Sequence, residues 1–181
     1  MRFSECIIFG DGAGAAVLTR EEDTSKGILS THLHSEGKYL KELWCELPSF
    51  KMAGRGFSDE MISAGRHRLK MNGREVFKHA VTRFPEVIQE AMDANNLTID
   101  DIAQIIPHQA NHRITEAVAK RMGVDSELVY SNIHRYGNTT AATIPIAMCE
   151  AFAEGKFSTG DHIILAAFGS GFTWASAAIK W

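Results

Sequence analysis

The sequence predicts a layered α/β fold, and three features of the chain indicate it. Short apolar runs such as IAQIIP and HIILAAFG alternate with longer segments whose apolar residues recur with helical spacing. Glycine and proline residues mark the ends of these segments. Strands that alternate with helices favour a largely parallel sheet covered by helices, whereas the last two strands, joined by a glycine turn, must run antiparallel.

The N-terminal part of the chain predicts three strands. Two apolar segments, Cys6–Phe9 and Ala13–Leu18, flank the glycine-rich run GDGAG, and GILSTHLHSEG is the third candidate. The periodicity then fades between Lys38 and about Leu69, where glycines and charged residues predict a long exposed connection. We place an internal boundary of the chain in this connection.

The remainder of the chain predicts helices and strands in alternation. Apolar residues recur with helical spacing on both sides of Pro85, which predicts two helices that meet there, since proline suits a first helical turn. After the strand IAQIIP, a helix is expected from Asn111 to Met122, with Gly123 ending it. LVYS predicts a short strand, and TTAATIPIAMCEAFAEG predicts a helix rich in small residues.

Composition excludes several classes of function. A net charge of −3 gives no overall basic field, which argues against a nucleic-acid partner. The longest apolar stretches are too short or too interrupted to span a membrane, and the N-terminus has no signal pattern, so we expect a cytoplasmic protein. Cys6, Cys45 and Cys149 are few and widely spaced, which favours reduced thiols over a disulfide framework or a zinc site.

Two histidines could carry chemistry. His108 directly follows the strand IAQIIP, where an imidazole could face a crevice and donate a hydrogen bond to a substrate oxygen. A histidine at a strand end can equally be a structural polar group with its hydrogen bonds satisfied. His112 completes a His-x-x-x-His pair, but HQANH lacks the glutamate of the metalloprotease motif and no third ligand is evident, so we expect no metal site.

Polar and glycine-rich turns are also ambiguous when each is taken alone. Asn138 in RYGNTTAAT lies where a helix begins, and its side chain could simply cap backbone amides. GDGAG lacks the lysine and Ser/Thr of a phosphate-binding loop, so a tight turn that brings backbones close together is the favoured interpretation. FGSGFTW has the same interpretation.

In combination the motifs are specific. GDGAGA, MNGREVFKHAV, IIPHQANHRI, RYGNTTAATIP and AAFGSGFTWASA, in this order and spacing, resemble β-ketoacyl-ACP synthase III, and the resemblance extends from Ile7 to Trp181 except for Lys38 to Leu69. It implies a thiolase fold of two similar α/β halves and a homodimer. It also implies a Cys-His-Asn triad that condenses acyl-CoA, usually acetyl-CoA, with malonyl-ACP to begin fatty-acid synthesis, with no cofactor besides the coenzyme A thioester substrate.

The resemblance also assigns residues. His108 of PHQAN and Asn138 of YGNT match the triad histidine and asparagine, which would stabilise the enolate as two neutral donors, with the proton of His108 on the nitrogen that faces the substrate. The positions that match the lining of the pantetheine tunnel are Gly73, Phe77, Ala110, Asn111 and Phe168. The backbone amide of Ser170 matches an oxyanion-hole donor, although many relatives have glycine there. The positions that match a docking face for the acidic carrier protein are Arg113, Lys120 and Arg121, which could otherwise form a solvated helix face.

The resemblance leaves the nucleophile unassigned. Relatives place it upstream of GDGAGA, and none of the three cysteines has the required strand-to-helix context. We expect residues 1–40 to be terminal strands of an N-terminal thiolase half, 41–69 a connecting segment, and 70–181 the C-terminal half. Strands between Ile7 and Leu33 would then be unpaired and would seek a complementary N-terminal half or a second copy.

Two other functions remain open on the sequence alone. The chain could be a non-catalytic partner subunit or a carrier-protein-binding module. It could also be a malonyl-thioester decarboxylase that uses His108 and Asn138, because that step does not need the thiol. The primer acyl group is left open, since much of its pocket would lie in the other half.

Overall fold

The computed structural model describes residues 8–20, 22–49 and 56–181. Within these ranges the strands are β1 (Gly27–Ser35), β2 (Leu43–Cys45), β3 (Leu69–Met71), β4 (Ile102–Pro107), β5 (His162–Gly169) and β6 (Thr173–Lys180). The α-helices are α1 (Asp59–Ser63), α2 (Gly73–Ala94), α3 (His112–Met122), α4 (Ile133–Tyr136) and α5 (Thr143–Ala153). The short 3-10 helices are Gly37–Glu42, Ile99–Asp101, Ser126–Leu128 and Thr140–Ala142.

The main sheet has four strands in the order β1-β6-β5-β4, which confirms the predicted α/β class. β4 and β5 are parallel, and β5 and β6 form the predicted antiparallel hairpin. The expectation of a largely parallel sheet is wrong, because β6 returns as a hairpin and β1 pairs antiparallel with it. β2 and β3 form a separate antiparallel pair.

The strand β1 is fully integrated into this sheet. Its backbone pairs with β6 from Gly27 opposite Lys180 to Ser35 opposite Thr173. The expectation that this strand would be unpaired is therefore wrong, because β6 supplies the neighbour that its backbone groups need. The division of the chain into residues 1–40, 41–69 and 70–181 stays a prediction.

The segment before β1 forms less regular structure than the sequence predicts. Cys6–Phe9 falls largely outside the described residues, and Phe9 makes a single parallel bridge with Asn138. The predicted strand at Ala13–Leu18 is irregular, and Val17 is 90% exposed. The prediction fails here because no described strand pairs with this segment, and an apolar run without a paired neighbour does not make a strand.

The helix α2 runs without a break through Pro85, so the prediction of two helices is wrong. One continuous apolar face extends over both sides of the proline and packs on the sheet. Its buried members are Ala80, Phe84, Val87, Ile88, Ala91 and Met92. Packing of this shared face outweighs the single backbone hydrogen bond that proline cannot donate.

Helices cover both faces of the sheet. Alternate residues of a strand point to opposite faces, and Ile105 belongs to the core beneath α2 and α3 whereas Ile106 belongs to a second core that contains Ala147 and Ala151 of α5. No helix within the described ranges is long and apolar enough to cross a bilayer.

The connections on either side of α3 determine where the site forms. Gly123 ends α3, as the sequence predicts, with a φ of 70°. Asn111 lies just before the helix and caps it by accepting a hydrogen bond from the backbone of Arg113. The predicted strand LVYS is reduced to one parallel bridge between Ile105 and Val129. A longer strand does not form here, because the 3-10 helix Ser126–Leu128 ends just before Val129 and α4 begins shortly after it.

Candidate active site

A cavity of about 1400 Å³ lies where β4 and β5 end, beside the start of α2. Both His108 and Asn138 line it. So does every residue that the sequence assigns to the pantetheine tunnel and the oxyanion hole: Gly73, Phe77, Ala110, Asn111, Phe168 and Ser170. The structure therefore brings all eight of these candidate residues to one site, as expected for loops that follow neighbouring parallel strands.

His108 is held in place by its backbone and its ring. Its backbone N–H donates to the carbonyl of Ala166 at 2.7 Å, which continues the pairing of β4 with β5 by one residue. Its Nδ1 lies 2.6 Å from Oγ1 of Thr143. Burial lowers the pKa of His108 to about 4, because a charged imidazolium loses hydration there. The ring is therefore neutral at neutral pH.

Asn138 is also fixed on both sides. Its backbone N–H donates to the carbonyl of Ile8 at 2.8 Å, and its carbonyl accepts from Gly10 at 3.0 Å. The side-chain Oδ1 accepts from the backbone of Thr140 at 2.9 Å, which is the capping role considered above. Since Oδ1 is held by a backbone donor, Nδ2 is the atom of this amide that can donate to a ligand.

The GDGAG run packs directly on the Asn138 segment. A Cβ at Gly10 would lie 2.0 Å from the carbonyl oxygen of Tyr136, and one at Gly14 would lie 2.5 Å from side-chain atoms of Pro145. This contact supports the interpretation of GDGAG as a close approach of two backbones. It also means that the glycines position the loop that carries Asn138.

We expect Gly10→Ala to destabilise the fold by about 1 to 3 kcal/mol, because the added methyl group must displace the backbone of Tyr136. The matched control is Gly37→Ala, since a Cβ at Gly37 meets no atom within 4 Å. Urea denaturation of both variants and the parent checks the prediction. Equal unfolding midpoints for the two variants would contradict it.

The loop between β5 and β6 carries Ser170 and is anchored by the end of β1 and the start of β2. The Ser170 hydroxyl donates to the carbonyl of Leu43, and Phe172 exchanges two backbone hydrogen bonds with Glu36. The hydroxyl of Thr173 donates to the Ser170 carbonyl at 2.9 Å. These contacts hold the candidate oxyanion loop from outside.

The basic residues divide into two groups. Arg113 lines the cavity, and its guanidinium lies 5.7 Å from the centre of the Phe77 ring. Lys120 and Arg121 are exposed in the last turn of α3 and are not part of the cavity wall. Arg74 at the start of α2 lines the cavity beside Arg113, although the sequence analysis did not single it out.

Within the described residues, neither the cysteines nor the possible metal ligands form a second candidate site. Cys45 is exposed at the end of β2 and donates to the carbonyl of Leu47 at 2.8 Å, and Cys149 is exposed in α5. Neither lines the cavity, and Cys6 lies outside the described residues. His112 is exposed beside Glu116, and in residues 8–20, 22–49 and 56–181 no three His, Cys, Asp or Glu side chains are grouped to hold a metal ion.

Comparison with known families shows which family this chain belongs to. Residues 2–37 match the family model of 3-oxoacyl-[acyl-carrier-protein (ACP)] synthase III, and residues 92–181 match the model of the C-terminal part of the same family. The chain belongs to this family. The second match includes both His108 and Asn138.

Individual relatives agree with this assignment. The β-ketoacyl-[acyl-carrier-protein] synthase III of Rhodospirillum centenum is 43% identical over 179 residues, which cover 97% of this chain and 52% of that protein. The crystal structure of 3-oxoacyl-[acyl-carrier-protein] synthase III from Aquifex aeolicus VF5 matches with a TM-score of 0.83 and 38% identity over 99% of this chain. The structure of the synthase III from Thermus thermophilus matches with a TM-score of 0.79 and 37% identity over 99% of this chain. The fold is therefore thiolase-like, and the chain spans about half the length of the relatives it matches.

Thr143 is the polar contact of this site that the sequence analysis missed. It lies in the run AATIP at the start of α5, where a threonine is an unremarkable helix-start residue. Its contact with His108 joins residues 35 positions apart, so no local sequence pattern predicts it. The burial of Thr143, which is 2% exposed, would have identified it as a candidate, but burial is known only from the fold.

Proposed function

We propose that this chain provides the histidine and asparagine of a 3-oxoacyl-ACP synthase III active site, which condenses acyl-CoA with malonyl-ACP. The observation that carries this proposal is that His108 and Asn138 line one cavity at the ends of β4 and β5, in a chain of that family. Acetyl-CoA is the proposed primer. Since neither Cys45 nor Cys149 lines the cavity, we propose that a complementary N-terminal half supplies the nucleophilic thiol.

The chemistry of the cavity suits decarboxylation of a malonyl thioester. Loss of carbon dioxide leaves negative charge on the thioester oxygen, and a fixed donor such as Nδ2 of Asn138 stabilises that charge without reorganising. The aromatic rings of Phe77 and Phe168 line the same cavity, and such interactions become stronger when a bound substrate displaces water from an apolar wall. A cavity of this volume can also hold a flexible pantetheine arm.

Complementation tests the proposed condensation. We expect the chain, mixed with the separately produced N-terminal half of the Rhodospirillum centenum relative, to form acetoacetyl-ACP from acetyl-CoA and malonyl-ACP. Neither part alone is expected to form it, because the thiol and the His-Asn pair would be separated. Mass spectrometry of the carrier protein measures the product.

Two results of this experiment would contradict the proposal. A stoichiometric acetyl group on Cys45 or Cys149 of the chain alone, with product formed, would place the nucleophile within this chain. A stable complex of the two parts that forms no product would show that the His-Asn pair does not serve condensation. The control variant His112→Ala, altered at an exposed residue outside the cavity, is expected to behave as the parent.

A malonyl-thioester decarboxylase is the second candidate. Two facts favour it. His108 and Asn138 line one cavity, and decarboxylation of a malonyl thioester does not require a thiol. Release of carbon dioxide from malonyl-CoA by the chain alone would support it. A chain that binds malonyl-ACP and releases no carbon dioxide would instead indicate a carrier-protein-binding module or a non-catalytic partner subunit.

The proposed partners follow from charge and exposed apolar surface. Arg113, Lys120 and Arg121 are exposed cations along α3 and would attract an acidic carrier protein. Exposed apolar residues such as Val17 and Leu33 favour association with a complementary half or a second copy. We propose a cytoplasmic site of action and no cofactor besides the thioester substrate.

A further inference from the structure

The carboxylate of Glu150 in α5 binds three donors from the segment that leads to Asn138. Its Oε2 accepts from Nδ2 of Asn132 at 2.8 Å, and its Oε1 accepts from the hydroxyl of Tyr136. The guanidinium of Arg135 lies beside the same Oε1, with Nη1 at 3.2 Å. All three donors belong to α4 and the residue before it, and Asn138 follows two positions after Tyr136.

The direction of these hydrogen bonds follows from the charge of Glu150. Burial alone would raise the pKa of this carboxyl, but the hydrogen bonds from Tyr136 and Asn132 and the charge of Arg135 outweigh burial and lower it. The group is therefore an ionised carboxylate at neutral pH, and a carboxylate can only accept hydrogen bonds. The tyrosine hydroxyl, the asparagine amide and the guanidinium must each donate.

The segment that Glu150 binds has little stability of its own. α4 is one turn of four residues. An isolated helix this short does not persist in water, because nucleation costs more free energy than one turn of hydrogen bonds returns. Contacts from outside the helix must therefore keep it in place. Those made by Glu150 join it to α5, the helix that begins after the loop of Asn138.

The same segment is also joined to the loop that carries His108. The backbone N–H of Asn132 donates to Oε1 of Gln109 at 3.1 Å, and the Gln109 amide donates in turn to two backbone carbonyls at 2.8 and 3.1 Å. Gln109 is 1% exposed and directly follows His108. Asn132 therefore contacts the His108 loop with its backbone and Glu150 with its side chain.

We propose that Glu150 is a positioning residue that fixes Asn138 in the cavity wall. It acts through the side chains of Asn132, Arg135 and Tyr136, since Glu150 is not itself part of that wall. The catalytic meaning of this placement rests on the proposed function, whereas the placement itself does not.

Glu154, the residue after α5, provides a matched control. It also lies beside Arg135, with Nη1 and Oε1 3.2 Å apart. The Asn132 amide and the Tyr136 hydroxyl bond to Glu150 instead. Glu150→Gln and Glu154→Gln therefore each remove one negative charge from the same region, but only the first changes the group that all three donors share.

Nuclear magnetic resonance tests the placement of Asn138 without any measurement of activity. The side-chain amide signals of Asn138 in the nitrogen-15-labelled chain are assigned by their loss in Asn138→Ala. We expect Glu150→Gln to move these signals, because a glutamine amide offers one accepting oxygen where the carboxylate has two, and a donor of the segment loses its partner. We expect Glu154→Gln to leave them at the parental positions.

Two outcomes would overturn the proposal. One is a folded Glu150→Gln variant whose Asn138 signals stay at the parental positions. The other is an equal displacement in Glu154→Gln, since a general loss of charge would then explain it. If Glu150→Gln does not fold, Tyr136→Phe takes its place, because it removes a single donor from a side chain that is 41% exposed. Unmoved Asn138 signals in that variant would also contradict the proposal.

A kinetic measurement tests the consequence for the reaction. In a preparation that turns over, we expect Glu150→Gln to lower kcat by about 10- to 100-fold with KM unchanged, because a misplaced Asn138 weakens only transition-state stabilisation. Glu154→Gln is expected to keep the parental kcat. In an Asn138→Ala background, Glu150→Gln should have no further effect, since no amide is left to position.

An equal loss of kcat in the Asn138→Ala background would show that Glu150 supports the structure generally, and would overturn the positioning role. If no preparation turns over, the proposed function fails while the spectra still decide whether Glu150 places Asn138.

Discussion

Replacing Asn138 by alanine is expected to slow malonyl-thioester decarboxylation by about 100- to 1000-fold, which corresponds to about 3 to 4 kcal/mol of transition-state stabilisation. In the proposed function the effect is large because the Asn138 amide donates from Nδ2 to the developing enolate oxygen, while its Oδ1 is held by Thr140. The measurement is the rate of acetyl-thioester formation, by mass spectrometry, in the preparation that shows turnover.

A second substitution separates donation from anchoring. Asn138→Asp keeps an oxygen that can accept from the Thr140 backbone, but it replaces the donor Nδ2 with an acceptor that repels the enolate. We expect it to be at least as slow as Asn138→Ala while its unfolding midpoint stays closer to that of the parent. An Asn138→Asp variant with parental activity would show that the amide does not stabilise the enolate.

The location of the site could be predicted because it depends on local patterns and one general rule. An apolar run before His108 and a helix start after Asn138 place both residues at strand or helix ends, and such ends gather at one edge of an α/β sheet. The end of α3 at Gly123 could also be predicted, since a glycine cap acts on its own helix.

Features that depend on distant partners could not be predicted in the same way. The pairing of β1 with β6 joins residues at opposite ends of the chain, as with Gly27 and Lys180, and a local pattern does not specify a strand's neighbour. The continuity of α2 through Pro85 likewise depends on the sheet that its apolar face meets.

The contact between His108 and Thr143 shows the same limit at atomic scale. Family resemblance assigns a role to the histidine, but it does not specify that the hydroxyl of Thr143 lies beside Nδ1 of the ring. Such second-neighbour contacts arise from packing and not from a motif. The sequence therefore predicts which side chain lies at the site, and the fold shows what contacts its ring.

Folding stability is expected to depend on His108 at mildly acidic pH. Burial lowers its pKa from 6.5 to about 4, so the unfolded chain binds this proton more tightly than the folded chain does. The stabilising contribution is complete above the unfolded pKa of 6.5 and is lost as the pH falls from there to about 4. The total loss is about 3 kcal/mol, of which about 2 kcal/mol falls between about pH 7 and about pH 4.5.

The variant His108→Gln isolates this contribution, because glutamine can still bond to Thr143 and does not titrate. The other titratable side chains of the cavity wall, His34, Arg74 and Arg113, are present in both proteins, so their effects cancel in the comparison. Urea denaturation of both proteins at the two pH values gives the difference. If acid destabilises the variant as much as the parent, His108 is not buried as a neutral ring; if the variant loses about 2 kcal/mol less, the cavity holds His108 as a neutral imidazole at neutral pH.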